Sequence, residues 1–157
     1  MIETALSALE ASAPAEILRS SRYAYPVVNA AHILSLAALF GSILALDLRL
    51  LGAFGSAPAA PLARVLPRVG AAGLAAALVT GAALFAVQPF DYIANPVFAL
   101  KLGLIGLGAA HALLLHRTAA WRSLLAGERI GARLRASAAL SLLVWTGAIV
   151  AGRWLAF

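Results

Sequence analysis

Apolar residues run along this chain in four long stretches that are separated by short polar segments. The stretches cover about residues 27–46, 69–87, 97–115 and 136–152. Each is close to the roughly 20 residues that an α-helix needs to cross the hydrocarbon core of a bilayer. The second stretch has no charged residue and only Thr80 as a polar side chain, so a soluble helix there would have no face for water. The pattern predicts an all-α fold, a bundle of four transmembrane helices.

Composition supports a membrane protein and excludes several kinds of site. Of the 157 residues, 63% are hydrophobic and 11% are charged, whereas soluble domains carry roughly 25% charged residues. The chain has no cysteine and a single methionine at its start, which excludes disulfides, iron–sulfur clusters, thiolate zinc sites and a Cys/Met copper site. The net charge of +6 lies in the loops, so we expect the lipid bilayer as a partner and no nucleic acid.

The distribution of Lys and Arg predicts how the chain is inserted. Eight basic residues follow the first and third stretches, and four lie in the N-terminal region, after the second stretch or at the C-terminus. The eight are Arg49, Arg64, Arg68, Arg117, Arg122, Arg129, Arg133 and Arg135, and the four are Arg19, Arg22, Lys101 and Arg153. Because cytoplasmic loops retain positive charge, we expect both termini outside, in the plasma (inner) membrane of a bacterium.

Residues 1–26 are interpreted as an N-terminal interfacial segment that precedes the transmembrane domain of residues 27–157. One helical face of this segment carries the apolar residues Ile2, Ala5, Leu6 and Leu9. That pattern predicts a short helix that lies on the outer membrane surface, with a frayed polar leader as the alternative. Acidic residues interrupt the apolar groups, so we expect no cleaved signal peptide.

Polar residues inside the predicted spans are the candidates for a functional site, since a charge at the bilayer midplane costs at least about 2.5 to 3.5 kcal/mol. His32 and Lys101 each lie about five residues inside a span that starts on the outer side, hence roughly 7 to 8 Å deep. Asn29 and Arg153 belong to the same level. His111 lies roughly 15 Å deeper than Lys101. As alternatives, Lys101 and Arg153 reach the interface by snorkelling, and His111 is a hydrogen-bonded core residue.

Other marked positions are assigned to packing. We expect Asp47 to form a structural ion pair across the bundle with Arg64, Arg68 or Arg117. Small residues also recur at a spacing of four and predict close approach of the helices. They are Gly73, Ala77 and Gly81 in the second span, Gly106 and Ala110 in the third, and Gly147 and Ala151 in the fourth. Chance scatter in an alanine-rich chain is the alternative.

Two motifs give the chain a resemblance to small bacterial four-helix membrane proteins. They are HILSLAALFGSILALDLRLLG, which begins at His32, and NPVFALKLGLIGLGAAHALLLHR, which begins at Asn95. On these motifs the chain resembles HemJ-type protoporphyrinogen oxidases, CopD-like copper proteins and, most of all, an uncharacterised bacterial membrane family related to them. The resemblance implies that His32 and Lys101 bind heme b. Leu39 and Ala110 stand where the HemJ-type family has tryptophan and tyrosine, so the resemblance implies heme attachment without porphyrinogen oxidation.

We therefore expect an integral membrane heme b protein that transfers electrons between a membrane quinone and a periplasmic or membrane partner. His32 is the expected axial ligand of the heme iron, with Lys101 or His111 as the second ligand. The alternative for Lys101 is a contact with a heme propionate. Arg153 and Asn29 are expected to hold the propionates. A non-enzymatic membrane anchor or subunit of a homo- or hetero-oligomer is the alternative, and a transporter of a small solute or metal is the third hypothesis. No hydrolase motif is present, and no catalytic residue is assigned.

Overall fold

The computed structural model describes residues 1–155 of the chain, and the regular secondary structure of these residues is entirely helical. The eight helices are α1 (Ile2–Glu10), α2 (Ala13–Ser20), α3 (Ala24–Leu51), α4 (Ala59–Phe85), α5 (Pro89–Ala94), α6 (Pro96–His116), α7 (Ala119–Leu125) and α8 (Ala132–Trp154). The helices α3, α4, α6 and α8 are long and apolar enough to cross a membrane. The predicted all-α bundle with four membrane-spanning helices is confirmed. The side of the membrane on which the termini lie stays a prediction.

The helices extend beyond the apolar stretches because hydropathy marks the part of a helix in lipid, whereas backbone hydrogen bonding continues past it. The largest extension is in α4, which begins at Ala59, ten residues before the stretch that starts at Val69. The C-terminus of α3 is closed by Gly52, whose φ of 115° suits a residue without a Cβ. Asn95 starts α6, since its side chain accepts a hydrogen bond from the Val97 N–H at 2.9 Å.

The N-terminal segment forms two short helices where one was predicted. Ser12 begins α2 and Pro14 follows in its first turn, so the chain turns between α1 and α2. Arg19 holds the two helices together, because its guanidinium donates to the Glu10 carbonyl and lies 3.8 Å from the Glu10 carboxylate. The same side chain donates to the Val87 carbonyl at 3.3 Å, which attaches the segment to the end of α4.

The four long helices pack in the order α4, α3, α8, α6, so α4 packs along α3 rather than along α6. We call the end with residues 52–58 and 117–131 the basic end, and the opposite end, with α1, α2 and α5, the N-terminal end. At the basic end a hydrophobic core joins α3, α4, α7 and α8. Its buried residues are Leu46, Leu50, Ala63, Trp121, Leu124, Leu134 and Ala138.

The outer surface of the bundle is apolar. Leu34, Val79 and Leu143 are 70%, 72% and 74% exposed, and they stand on three different long helices. A soluble monomer rarely exposes large contiguous apolar surface, whereas lipid tails solvate it without cost. The exposed apolar side chains therefore support contact with a lipid bilayer.

Small residues bring α4 against α3. A Cβ atom on Gly73 would lie 2.6 Å from the Leu39 backbone nitrogen, so the two backbones touch. Gly70 and Ala77 are also buried on this face. The small residues of the second span thus bring two helices close together, as predicted, since only glycine fits at Gly73.

The small residues of the other two long helices have mixed outcomes. Gly147 faces α6, since a Cβ there would lie 3.5 Å from the Leu104 Cδ1, and Ala151 is buried. The predicted packing role of Gly106 is wrong, because a Cβ there would meet no atom within 4 Å. Gly108 packs instead, with the Trp145 ring 2.7 Å from its Cβ position. Two residues correspond to a turn of about 200° around a helix, so these two glycines face opposite sides.

Candidate functional site

His32 is held by α4. Its Nδ1 lies 2.9 Å from the Thr80 Oγ1, and the Thr80 hydroxyl donates to the Ala76 carbonyl at 2.7 Å. Because the hydroxyl hydrogen is used in that bond, His32 is the donor through its Nδ1–H. A Cβ on Gly81 would lie 3.1 Å from Cε1 of the ring. The histidine therefore fills a notch that Thr80 and Gly81 form on α4.

Lys101 lies at the same end of the bundle as His32, close enough for the two side chains to interact electrostatically. Its side chain runs along α8, where a Cβ on Gly152 would lie 3.4 Å from Cε and 3.6 Å from Nζ. Both side chains lie toward the N-terminal end of the bundle. Different helices hold them, α4 the histidine and α8 the lysine.

The remaining predicted site residues are spread over the bundle. Asn29 is exposed on α3, and Arg153 is exposed in the last turn of α8, next to the Gly152 that Lys101 contacts. His111 lies farther toward the basic end, and its Nε2 is 2.9 Å from the Ser137 Oγ. The structure therefore groups Arg153 with Lys101 at the N-terminal end and separates His111 from them.

A heme ligated by His32 needs a ring nitrogen that faces space for a porphyrin. In the structure the edge with both nitrogens faces α4, since Nδ1, Cε1 and Nε2 all lie within 4 Å of the Cβ position on Gly81. Axial ligation would require the ring to leave Thr80 and turn away from α4. The packing of His32 against Thr80 and Gly81 therefore does not by itself favour heme ligation.

A cavity of about 250 Å³ lies between the four long helices, toward the basic end, with α7 closing one side. Leucine and alanine side chains form most of its wall, together with the rings of Trp121 and Trp145. The polar residues of the wall are Ser42, Asp47, His111, His116 and Ser141. A mostly apolar cavity with a few convergent polar groups is typical of a ligand-binding site.

Asp47 is the exceptional residue of this wall. It is 6% exposed, and its Oδ2 is the only buried side-chain nitrogen or oxygen atom of residues 1–155 without a hydrogen-bond partner. The hydroxyl of Ser141 on α8 interacts with the same carboxyl group. A buried polar atom without a partner costs about 1 to 3 kcal/mol, and more when it is charged, so it calls for an explanation.

The predicted ion pair of Asp47 with Arg64, Arg68 or Arg117 is wrong, since no residue of the described chain forms a salt bridge with Asp47. Arg64 and Arg68 lie on the exposed side of α4. Arg64 donates instead to the Leu125 carbonyl at the end of α7, at 2.7 Å. The arginines stay exposed at the basic end because a guanidinium that entered the cavity would lose its hydration.

Two of the other polar residues of the wall, Ser42 and His111, form hydrogen bonds within the chain. The Ser42 hydroxyl donates to the Leu39 carbonyl of its own helix at 2.9 Å, and His111 is bonded to Ser137. The ring of His116 packs edge-on against Trp121, with centroids 4.3 Å apart. Among the buried side-chain polar atoms of the described residues, only the Asp47 Oδ2 in this wall lacks a partner.

The cavity opens sideways, between α4 and α6. Ala71 on α4 and Leu113 on α6 belong both to its wall and to the exposed surface, and Leu113 is 62% exposed. Toward the N-terminal end the same two helices are joined by the stacked rings of Phe85 and Phe98, 5.3 Å apart. The opening, which we call the wedge, is thus bounded by these rings at its N-terminal end and has an apolar rim that suits entry from lipid.

Sequence reasoning singled out His111 of this site as a candidate heme ligand but gave Asp47 the role of an ion-pair partner. The signal that points to Asp47 is its position, a carboxylate inside an apolar helix with leucines on both sides. Comparison with protein-family models, with curated protein sequences and with solved structures found no match. The function is therefore argued from the geometry of the cavity.

Proposed function

We propose that this integral membrane protein binds a small, mostly apolar ring of the quinone class in the cavity between α3, α4, α6 and α8. The observation that carries the proposal is the buried Asp47 Oδ2, which lacks a partner and belongs to the wall of this cavity. Binding a quinone agrees with the electron-transfer role that the sequence predicts.

Asp47 matches both redox forms of such a ligand. A quinol hydroxyl donates a hydrogen bond to the ionised carboxylate, and a quinone carbonyl accepts one from the protonated carboxyl group. Either bond gives Oδ2 the partner that the protein does not supply. Because the surroundings are apolar, a hydrogen bond formed there is stronger than one in water.

The size and walls of the cavity limit the ligand. Its volume of about 250 Å³ is just below the roughly 300 to 1,000 Å³ of drug-sized pockets, so it accommodates one ring. Trp121 and Trp145 offer aromatic surface for that ring. A hydrocarbon tail leaves through the opening beside Ala71 and Leu113 into lipid.

Quenching of tryptophan fluorescence by tetramethyl-1,4-benzoquinone tests the proposal on the detergent-purified chain. Two of the three tryptophans line the cavity. Trp154 lies at the N-terminal end, so its fluorescence is a background signal from outside the cavity. We expect saturable quenching, with an affinity up to about tenfold weaker in Asp47→Leu because the hydrogen bond from the Asp47 carboxyl group to the quinone carbonyl is lost. Asp47→Asn keeps hydrogen bonding at the same size and is expected to bind within about threefold of the native chain.

The two variants distinguish a neutral ring from a cation as the ligand of Asp47. Equal losses in Asp47→Asn and Asp47→Leu would show that the charge of Asp47 holds the ligand, which contradicts a neutral ring. Quenching that rises linearly with quinone concentration, and equally in all three proteins, would show that the quinone has no specific binding site and would refute the proposal.

Heme b binding through His32 and Lys101 stays a prediction, and the same preparation tests it. A visible spectrum of oxidised and dithionite-reduced protein, made with ample heme, shows a Soret band and sharp reduced bands if heme b is bound. Loss of these bands in His32→Ala would assign the ligand. A featureless spectrum would remove the cytochrome hypothesis and leave the quinone site unaffected, since the cavity does not include His32.

A further inference from the structure

A second cavity, of about 480 Å³, lies at the basic end and is lined by three arginines. Arg49 comes from the last turn of α3, Arg129 from the segment before α8, and Arg135 from the first turns of α8. Glu128 is the single carboxylate of the wall. Retention of basic loops on one side of a membrane explains why arginines occur at this end. It does not explain why three of them converge on one cavity.

Two of these arginines lack partners in the protein. The guanidinium groups of Arg129 and Arg135 form no hydrogen bond or ion pair with any residue of the described chain, Glu128 included. Arg49 is held in place, since its Nε donates to the Ala57 carbonyl at 2.6 Å. The cavity therefore combines one anchored guanidinium with two that are available for a ligand.

The backbone adds to the positive potential of this cavity. Pro58, Ala59 and Ala60, at the N-terminus of α4, line it, and α8 begins beside it after Gly131. Neither helix start is capped by a side chain. The free N–H groups and the helix dipoles favour an anion at the same place that the arginines do.

We propose that this cavity binds a phosphate group, either of an anionic lipid or of a soluble phosphorylated molecule. Guanidinium groups bind phosphate with paired, charge-assisted hydrogen bonds. Basic pockets at the ends of transmembrane helices suit the headgroups of anionic lipids, and Leu124 and Ile130 add apolar wall beside the arginines. The Glu128 carboxylate weakens the site, so its removal strengthens phosphate binding.

In the lipid arm of the experiment, native mass spectrometry measures binding of dioleoylphosphatidylglycerol to the full chain in detergent. Dioleoylglycerol, which lacks the phosphate, is the control. In the soluble arm, isothermal titration calorimetry measures binding of glycerol 3-phosphate. We expect affinity for the phosphate probe to fall about tenfold in the double variant Arg129→Gln/Arg135→Gln. In Glu128→Gln it is expected to rise by a few-fold.

The matched control is Arg68→Gln/Arg133→Gln, which removes two charges from exposed positions at the same end, outside the cavity wall. Its affinity is expected to stay within about twofold of the native value. A selective loss in the lipid arm alone identifies a lipid headgroup, and a selective loss in the soluble arm alone identifies a soluble phosphate. Equal losses in the two double variants, in both arms, would overturn the proposal, because net charge alone would then account for binding.

Discussion

The two sides of α4 differ in how they meet their neighbours. Toward α3 the helix is in backbone contact at Gly73, and the polar His32 finds a partner in Thr80. Toward α6 the same helix leaves a wedge, and the polar Asp47 at its base has an oxygen atom without a partner. The closed side satisfies its polar groups from within the chain, whereas the open side leaves one for a ligand.

This difference shows that depth in the membrane does not identify a site by itself. His32 and Asp47 are both polar residues of α3, and a membrane penalises both. The histidine lies where small residues let two helices touch, so a neighbouring hydroxyl reaches it. The carboxylate lies where the helices diverge, and the space beside it makes it available to another molecule.

The largest effect is expected on the closed side, from Gly73→Leu. A Cβ at this position already lies 2.6 Å from the Leu39 nitrogen and 2.9 Å from the Ser35 carbonyl, and a backbone cannot move aside as a side chain can. We expect α3 and α4 to separate, with a loss of stability of about 3 kcal/mol or more. Thermal unfolding in detergent measures it, and Gly106→Leu, at a position with open space, is the control. Equal melting temperatures of the two variants would contradict the tight α3–α4 contact.

The next effect is expected on the open side and has the opposite sign. Asp47→Leu replaces a buried carboxyl group by an apolar side chain of similar size, so the unpartnered oxygen disappears. We expect the free energy of unfolding to rise by about 1 to 2 kcal/mol while quinone binding weakens. Denaturant unfolding of both proteins without ligand provides the measurement. A less stable Asp47→Leu variant would mean that Asp47 has a structural partner after all.

A smaller loss is expected when the partner of His32 is removed. Thr80→Val keeps the shape of the side chain but leaves Nδ1 without its acceptor at 2.9 Å. Hydrogen bonds between transmembrane helices contribute on average about 0.6 kcal/mol and at most about 1.7, so we expect a loss of about 1 kcal/mol. Thr146→Val, on the exposed side of α8, is the control for the substitution itself. A loss no larger than that of the control would show that α4 does not hold the histidine.

The fold could be predicted from the sequence because lipid imposes a simple rule on it. Every backbone polar group must be satisfied inside the membrane, so an apolar run such as 97–115 has to be a helix. The number and approximate position of the four spans followed from that rule. Which glycine faces a neighbour did not follow, since Gly106 and Gly108 are equally small and only the rotation of α6 against Trp145 distinguishes them.

The candidate site was harder to predict because it depends on which helices fail to touch. Spacing places His32 and Lys101 at one depth, and in the structure both lie toward the N-terminal end. Spacing does not reveal the divergence of α4 from α6, which creates the space beside Asp47. An electrostatic argument favours an arginine partner for Asp47, but Arg64 lies on another side of α4 and binds a carbonyl of α7.

The smallest effect concerns the point where the wedge closes. At the N-terminal end Tyr92 of α5 packs against Phe85 of α4 and Phe98 of α6, with ring centroids 5.8 and 5.6 Å away. Burial, and secondarily the nearby Tyr25, raises the pKa of Tyr92 above its usual value of about 10. The folded chain thus holds the phenol proton more tightly than the unfolded chain. This contribution to stability is complete below pH 10 or so and is lost as the pH rises through the raised pKa.

Ultraviolet absorbance of tyrosinate, recorded against pH, follows the ionisation of Tyr92. The Tyr92→Phe variant shows which part of the titration curve belongs to this residue. If the three rings seal α4 against α6, Phe98→Ala admits water beside Tyr92 and lowers its pKa toward the usual value. The wedge then opens along its full length, and quinone binding at Asp47 weakens because the ring loses its boundary at the N-terminal end. An unchanged Tyr92 step in Phe98→Ala would mean that the aromatic rings do not close the wedge. The divergence of α4 and α6 would then have to be set at the basic end, where Trp121 and Trp145 pack.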